Sequence, residues 1–413
     1  MALLHLGSTT VMKDERGEKY TPAPMRDLFK KNLLIIYGVA GVGMLGHILL
    51  QPILPIFARR LGATGLEVGL LTSGFMLARG ITAFVIGKRI DITGQRTSFV
   101  RVGFAALFII TFGYIFMNSY HGLLVLRFCQ GICSGMIWPV LQIMVAEGAG
   151  KGFRTRALSL YQITGRVGAL VSRLLLGIVL LIAANIGLGE LNSFRIVFLV
   201  AGVVLFMGFL EVLLIPWQQK KRTEKRRGRP PYTIFLLGFV FGAMLALAPL
   251  SLVYLNEYYT ISPVGIAVLL LILDVMTVLV MYGTSHLSDR IGVKKSLWFI
   301  IIPCVITAVC LPFAPLFVIF IILYFIMRTS ISSFLPISRS YATSADPEVG
   351  ANIGTLNMVS NLGSVIGPII AGLIYDGLPG QFKIAGYSII ALFLIPAIFI
   401  EFAKEKDVSR SYD

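Results

Sequence analysis

The chain has 413 residues, of which 56% are hydrophobic and only 14% are charged. Soluble domains carry charged side chains at about a quarter of their positions, so this composition excludes an ordinary soluble protein. The apolar residues form long uninterrupted runs, which are typical of membrane-spanning helices of about 20 residues. We therefore predict an all-α integral membrane protein.

Taken in chain order, the sequence predicts twelve spanning helices in two six-helix halves. The predicted parts are an N-terminal tail (1–31), a first half (32–216), a basic linker (217–231), a second half (232–403) and a C-terminal tail (404–413). The twelve predicted spans are 33–57, 66–90, 98–118, 121–146, 157–184, 194–216, 232–256, 263–286, 296–314, 315–342, 352–375 and 384–402.

The net charge of +16 is unevenly distributed over this arrangement. Lysine and arginine concentrate in the tails and in the even-numbered connections, above all in the basic linker. The side with the odd-numbered connections contains four lysines and arginines, namely Arg59, Arg60, Arg195 and Lys383. By the positive-inside rule, we expect both termini in the cytoplasm and the protein in the inner or plasma membrane. A nucleic-acid interface would collect these charges on one folded face, so we expect no nucleic-acid partner.

An internal repeat relates the two halves. Four landmarks recur with offsets of 195 to 201 residues: Val68-Gly69 with Val264-Gly265, Asp91 with Asp289, Arg127 with Arg328, and Gly168 and Gly177 with Gly363 and Gly372. Such a duplication predicts parallel halves related by an axis along the membrane normal, as in many transporters.

A polar cassette follows the second predicted span and recurs after the eighth. Each copy has a carboxylate, a glycine three residues later and then cations. The defining residues are Gly87, Asp91, Gly94 and Arg96 in the first copy and Asp289, Arg290, Gly292 and Lys294 in the second, where Ser285 replaces the first glycine. The fourth span carries a further motif, Arg127-Phe-Cys-Gln130-Gly131.

The two cassettes resemble motif A (G-x-L-a-D-r-x-G-r-k) of the major facilitator superfamily, and the segment at Arg127 resembles its motif B (R-x-x-Q-G). The resemblance extends over nearly the whole chain. It implies a secondary transporter rather than an enzyme, a monomer in the lipid bilayer that moves a small solute by alternating access without a cofactor. In similar proteins the cassette aspartate faces a helix N-terminus of the other half, a favourable charge–dipole contact. The resemblance thus predicts Asp91 near Asn352 and Asp289 near Ala157.

Six charged residues are predicted deep in the spans, where a charge is costly and requires a reason. They are Arg79, Arg127, Arg166, Arg173, Asp274 and Arg328. Because the guanidinium fork suits carboxylate and phosphate, we expect a cavity lined by these residues, Trp138 and Gln142 to bind a small organic anion. The alternative is that Asp274 and backbone carbonyls neutralise some of the arginines as structural links.

Coupling to a proton gradient requires a group that changes its charge. His47, with Gln51 one turn later, is one candidate in the first span, since histidine titrates near neutral pH. The carboxylates Asp274, Glu147 and Glu257 are the others.

The alternative function is a drug/proton antiporter whose cavity is lined by Trp138, Tyr161, Tyr254 and Tyr258. Many such antiporters carry G-x-x-x-G-P-x-x-G-G in the fifth span. Here Arg173 stands in place of that proline, which weakens the antiporter interpretation. A third alternative, from another class, is a non-transporting receptor of transporter fold.

Overall fold

The computed structural model describes most of the chain, namely residues 12–13, 19–20, 30–149, 154–216, 232–291, 293–314, 316–344 and 349–395. The basic linker and the C-terminal tail predicted above lie outside these residues. The described part is almost entirely helical, apart from a two-residue antiparallel pair of strands, β1 (Met12–Lys13) and β2 (Lys19–Tyr20).

Seven helices form the N-terminal half: α1 (Lys31–Leu49), α2 (Ile53–Arg60), α3 (Gly65–Thr93), α4 (Arg96–Gly113), α5 (Tyr120–Gly148), α6 (Arg154–Asn185) and α7 (Glu190–Leu213). Seven more form the C-terminal half: α8 (Tyr232–Leu245), α9 (Ala248–Glu257), α10 (Pro263–Ile291), α11 (Val293–Cys310), α12 (Phe317–Ser344), α13 (Val349–Gly377) and α14 (Gly386–Leu392). Short 3₁₀ turns occur at Tyr114–Phe116, Leu311–Phe313 and Gly380–Ile384.

Within the described residues, 11 helical segments are long and apolar enough to cross a membrane. The pair α1 and α2 makes one of these segments, and the pair α8 and α9 makes another. The twelfth predicted span, 384–402, is described only as far as residue 395 and begins with α14. The predicted twelve-helix, two-half fold is confirmed.

The first span of each half is broken at an equivalent place. α1 ends at Leu49 and α2 begins at Ile53, with Pro52 between them. In the second half, α8 ends at Leu245 and α9 begins three residues later with Pro249 in its first turn. Proline has no backbone N–H to donate and interrupts the helical ladder. Each break therefore leaves carbonyl groups of the preceding helix available to side chains inside the bundle.

The repeat landmarks Gly168 and Gly363 have the same packing role in the two halves. A β-carbon at Gly168 on α6 would strike the carbonyl of Gly41 on α1, and one at Gly363 on α13 would strike the carbonyl of Phe239 on α8. Only glycine allows these backbones to approach so closely. The duplication seen in the sequence is thus a duplication of helix packing.

The contacts of α3 differ between the two ends of the helix bundle. We call the end at which α1 begins, at Lys31, the tail end, and the end containing the α2–α3 turn the far end. Near the far end, a β-carbon at Gly69 on α3 would strike the carbonyl of Pro368 on α13. Nearer the tail end, the same test at Gly80 and Gly87 meets no described atom within 4 Å. The halves are therefore tightly packed where α3 passes α13 near the far end, and among the described atoms the same face of α3 is open at Gly80 and Gly87.

Candidate functional site

A charge bridge at mid-depth links the two halves. Asp274 on α10 accepts a hydrogen bond from Nε of Arg173 on α6, at 3.1 Å, and another from Nη2 of Arg328 on α12. Arg173 also donates to the carbonyl of Ile48, at 3.5 Å, where the break after α1 exposes it. One carboxylate and one helix end therefore neutralise two of the five predicted arginines. For this pair of arginines the geometry fits the structural-link alternative.

Arg127 has a different partner. Its Nη1 donates to Oε1 of Gln130 at 2.6 Å, and the hydroxyl of Tyr114 donates to the same oxygen at 3.1 Å. The guanidinium lies 4.2 Å from the ring centroid of Phe75 on α3, a favourable cation–π contact. Gly131 lets α5 approach the backbone of α3 at Phe75. Within the described part of the chain, no carboxylate pairs with Arg127.

Arg79 follows Phe75 by one turn on the same face of α3 and is half-buried. Among the described residues it has no ion-pair partner, and Tyr161 of α6 lies close enough to interact with its charge. His47 of α1 lies within reach of the charges of both Arg79 and Arg127. Its ring centroid is 5.7 Å from that of Phe75 and 6.1 Å from that of Trp138. The structure thus brings four helices of the N-terminal half together around two arginines.

Arg166 lies two turns before Arg173 on α6 and is exposed. Its Nη2 approaches Sδ of Met281 on α10 at 3.6 Å. Since Arg173 also contacts α10, both arginines lie on one face of α6. Gln142, which we expected in the cavity, is exposed on α5.

The structure separates the coupling candidates. Glu147 pairs with Arg96 at 2.9 Å near the tail end, and Glu257 pairs with Arg59 at 2.6 Å at the far end. Because α1 ends at Leu49, Gln51 lies in the break, and the expectation that it shares a continuous helix with His47 is wrong. Proton coupling through any of these groups remains a prediction.

The aromatic residues of the antiporter alternative do not gather in one cavity. Tyr254 and Tyr258 stack on one another at 4.9 Å at the far end of α9. Trp138 and Tyr161 are buried in the core of the N-terminal half. The prediction of one cavity lined by all four side chains is therefore wrong, because these side chains belong to two separate clusters.

The first cassette contains the end of α3, where Gly94 is the C-cap. Gly94 has a left-handed backbone, with φ of 71°, and its N–H bonds to the carbonyl of Ile90. A residue with a side chain is strained in that conformation. Arg96, which follows, is 1% exposed. In the second copy, Arg290 is exposed in the last turn of α10.

The predicted contacts of the cassette aspartates with opposite helix ends lie outside the described residues. The side chains that fall there are those of Asp91, Asp289, Lys294 and Asn352, together with all of Gly292. The contact of each cassette aspartate with a helix N-terminus of the other half therefore stays a prediction.

A second set of polar contacts joins the halves at the far end. Arg59 donates to Glu257, and the hydroxyl of Tyr375 donates to the other oxygen of Glu257 at 2.8 Å. The carboxylate of Asp376 accepts the N–H of Gly65 at 2.6 Å and that of Leu66 at 2.8 Å. These N–H groups are the free donors at the start of α3, where the helix dipole favours a negative charge. We call Arg59, Glu257, Tyr375 and Asp376 the far-end latch.

Sequence reasoning missed this latch. It did predict a carboxylate on a helix N-terminus of the other half, but at the tail end. One feature of the sequence could have indicated it. Asp376 follows directly after the eleventh predicted span, and the internal repeat does not duplicate it, because the residue 195 positions earlier is Leu181.

The sequence model of the Major Facilitator Superfamily matches this chain twice, over residues 36–234 and 233–411. An uncharacterized MFS-type transporter of Methanocaldococcus jannaschii is 24% identical over 90% of this chain and 99% of its own length. The quinolone resistance protein NorA of Staphylococcus aureus is 22% identical over 84% of this chain and 90% of its own. Among solved structures, a bacterial homolog of the human lysosomal transporter Spinster, inward-facing and unoccupied, superposes with a TM-score of 0.71 at 15% identity, covering 91% of this chain and 96% of that one.

Proposed function

The chain belongs to the major facilitator superfamily, and we propose that within this family of membrane transporters it moves a small organic anion across the cell membrane, coupled to protons. We infer from the positive-inside rule that both termini lie in the cytoplasm, which would make the tail end the cytoplasmic end. Each half supplies one side of the central charge bridge, so a single chain is sufficient and we propose a monomer.

The observation that carries the anion proposal is the excess of arginine over carboxylate at mid-depth. Asp274 is shared by Arg173 and Arg328, whereas Arg79, Arg127 and Arg166 have no carboxylate partner in the described part of the chain. Uncompensated charge within a membrane is costly and marks a substrate or ion pathway. A bound anion supplies the missing charge. Arginine is suited to this task because its donors form a fixed fork.

The packing between the halves supports alternating access. The far-end latch and the close contact of Gly69 with Pro368 hold the halves together on the outer side. Nearer the tail end, no described atom lies within 4 Å of a β-carbon at Gly80 or Gly87 of α3, which supports an opening on the cytoplasmic side. Rocking of the halves must break the bond between Arg173 and Asp274, which spans them.

Asp274 is also our preferred coupling group. Protonation of Asp274 would remove the charge that holds Arg173 and Arg328 and so loosen the bridge between the halves. Anion binding at the other deep arginines and protonation of Asp274 would then act on the same movement of the halves, and this couples the two events by linkage.

Multidrug efflux is the second candidate, favoured by the similarity to NorA. The charges at mid-depth disfavour this candidate, since most of them are arginines, which repel a lipophilic cation, and Asp274 is already paired. The buried aromatic residues Trp138 and Tyr161 are the groups that such a drug would contact.

The two candidates are separated by thermal unfolding of the purified protein in detergent with a panel of organic anions and a panel of lipophilic cations. A ligand that binds only the folded state raises the melting temperature. Stabilisation by anions alone supports our proposal. Stabilisation by lipophilic cations alone would replace it with drug efflux.

A further inference from the structure

We propose that the anionic group of the substrate is held within the N-terminal half, by Arg79 and Arg127 with His47 and Tyr161 as neutral partners. We call these four residues the N-half cluster. The inference rests on the proposed function and adds the position of the ligand and its chemistry, an oxyanion group such as a carboxylate or a phosphate ester. It also assigns Arg173 and Arg328 to the bridge between the halves rather than to the ligand.

Buried polar atoms without partners surround the two arginines. Within the described residues, the Nδ1 atom of His47, the hydroxyl of Tyr161 and the Nε2 atom of Gln130 are buried and make no hydrogen bond. The three residues are 5%, 3% and 0% exposed, respectively. Buried polar atoms are nearly always hydrogen-bonded in native proteins, so a cluster of orphans beside two arginines indicates groups reserved for a ligand.

The chemistry of the cluster is that of a donor-rich site. A guanidinium has five N–H donors and no acceptor. Arg127 directs Nη1 to Gln130, and the Phe75 ring covers the face of its guanidinium, so the remaining donors lie along the edge. Arg79 makes no hydrogen bond to any described residue and is the partly accessible member. Such a set lacks a negative charge and is complementary to an oxyanion.

The internal repeat shows that the fold does not require these polar groups. At the offset of 195 that relates Gly168 to Gly363, Tyr161 corresponds to Leu356. At the offset of 201 that relates Arg127 to Arg328, Gln130 corresponds to Ile331. Both counterparts are buried and apolar. The same helix positions therefore pack well without polar atoms in the C-terminal half.

The repeated arginines also differ in how they are neutralised. Arg328 has a carboxylate, Asp274, whereas its counterpart Arg127 hydrogen-bonds to the neutral amide of Gln130 and to no carboxylate among the described residues. The C-terminal half thus satisfies its arginine internally, and the N-terminal half does not. This asymmetry locates the missing negative charge beside Arg127.

The test measures ligand affinity through Trp138, which lies 6.1 Å from His47 between ring centroids. In a background with Trp217→Phe and Trp298→Phe, fluorescence reports on the N-terminal half alone. The probes are acetate, benzoate and succinate as carboxylates, glycerol phosphate as a phosphate ester, and tetraphenylphosphonium as a lipophilic cation. The two anion arms show which oxyanion is preferred.

We expect Arg127→Gln and Arg79→Gln each to weaken binding of the preferred anion about 10- to 100-fold, the range for a lost charge-assisted hydrogen bond. Tyr161→Phe should weaken it a few-fold. Arg127→Lys, which keeps the charge but not the fork, guards against misfolding and should bind between the wild type and Arg127→Gln. Arg195→Gln removes a positive charge outside the cluster, where Arg195 bonds to Asn118 and Asn192, and should leave the affinity unchanged.

The outcomes separate the inference from the proposed function. If anions bind the wild type and the Arg79 and Arg127 variants equally, but not Arg173→Gln, the cluster is not the ligand site although anion transport stands. If no anion binds the wild type and tetraphenylphosphonium does, both proposals fall.

Discussion

Arg173 of the N-terminal half donates to Asp274 of the C-terminal half at 3.1 Å, and the same carboxylate accepts from Arg328. The contact is largely buried, with Arg173 and Asp274 side chains 10% and 21% exposed. A single acidic residue therefore links two arginines and the two halves of the chain.

Replacing Asp274 with asparagine should destabilise the protein more than replacing either arginine. The substitution leaves two charges without a counter-charge, and breaking a buried pair costs about 3–5 kcal/mol. Thermal unfolding in detergent measures the effect. The double variant Asp274→Asn/Arg173→Gln should recover part of the lost stability. A melting temperature of Asp274→Asn within about a degree of the wild type would contradict the bridge.

The far-end latch should control the balance between the two open states. Asp376→Asn removes the negative charge from the start of α3, a contact worth about 0.3–2 kcal/mol. We expect a shift of up to about 30-fold in the population ratio toward the state with an open far end. Spin labels at Ile186 and Leu316, both exposed at the far end, report it as a longer distance by electron–electron resonance.

The matched control for the latch is Glu190→Gln. Glu190 is also a far-end carboxylate, but it pairs with Arg60 of its own half at 2.9 Å. Its replacement should leave the distance distribution unchanged. An equal shift in both variants would mean that the latch has no special role.

The close packing of α6 on α1 should make Gly168 intolerant of even one added methyl group. Gly168→Ala forces a β-carbon into the carbonyl of Gly41, and overpacking of this kind costs about 1–3 kcal/mol. Gly177 lies on the same helix with no described atom within 4 Å of the equivalent position. Gly177→Ala should therefore be neutral or stabilising by about 0.5–1 kcal/mol. Equal melting temperatures for the two variants would count against the packing described here.

Glu147 should act as a structural partner rather than as the proton carrier. Its replacement by glutamine leaves Arg96, which is 1% exposed, without a charge partner, so stability should fall by about 3 kcal/mol. The exposed pair of Arg60 and Glu190 provides the comparison, since such surface pairs contribute about 0–1 kcal/mol. Proton-driven uptake by Glu147→Gln, per folded molecule, should match the wild type; its complete loss would restore Glu147 as a coupling residue.

The sequence predicted the fold well because the membrane imposes it. Lipid requires every backbone polar group to be satisfied within the chain, so apolar runs of the right length can only be helices. The landmarks Gly168 and Gly363 predicted equivalent packing because only glycine permits it. The break at Pro52 escaped notice because hydropathy remains high across it.

The site was predicted less completely. The sequence identified the deep arginines, since charge in an apolar run stands out. It did not show that Arg173 takes Asp274 while Arg127 takes Gln130, because that choice depends on helix rotation and on contacts between distant segments. The far-end latch joins Gly65 to Asp376, 311 positions apart, and no local pattern encodes such a contact.

Counterflow in proteoliposomes tests the central claim most directly. Vesicles containing the purified protein are loaded with the organic anion that stabilises it most, and the labelled anion is added outside. The account predicts transient accumulation of the label in wild-type vesicles and its loss in Arg127→Gln. Counterflow of a lipophilic cation that persists in Arg127→Gln, with none for any anion, would contradict it.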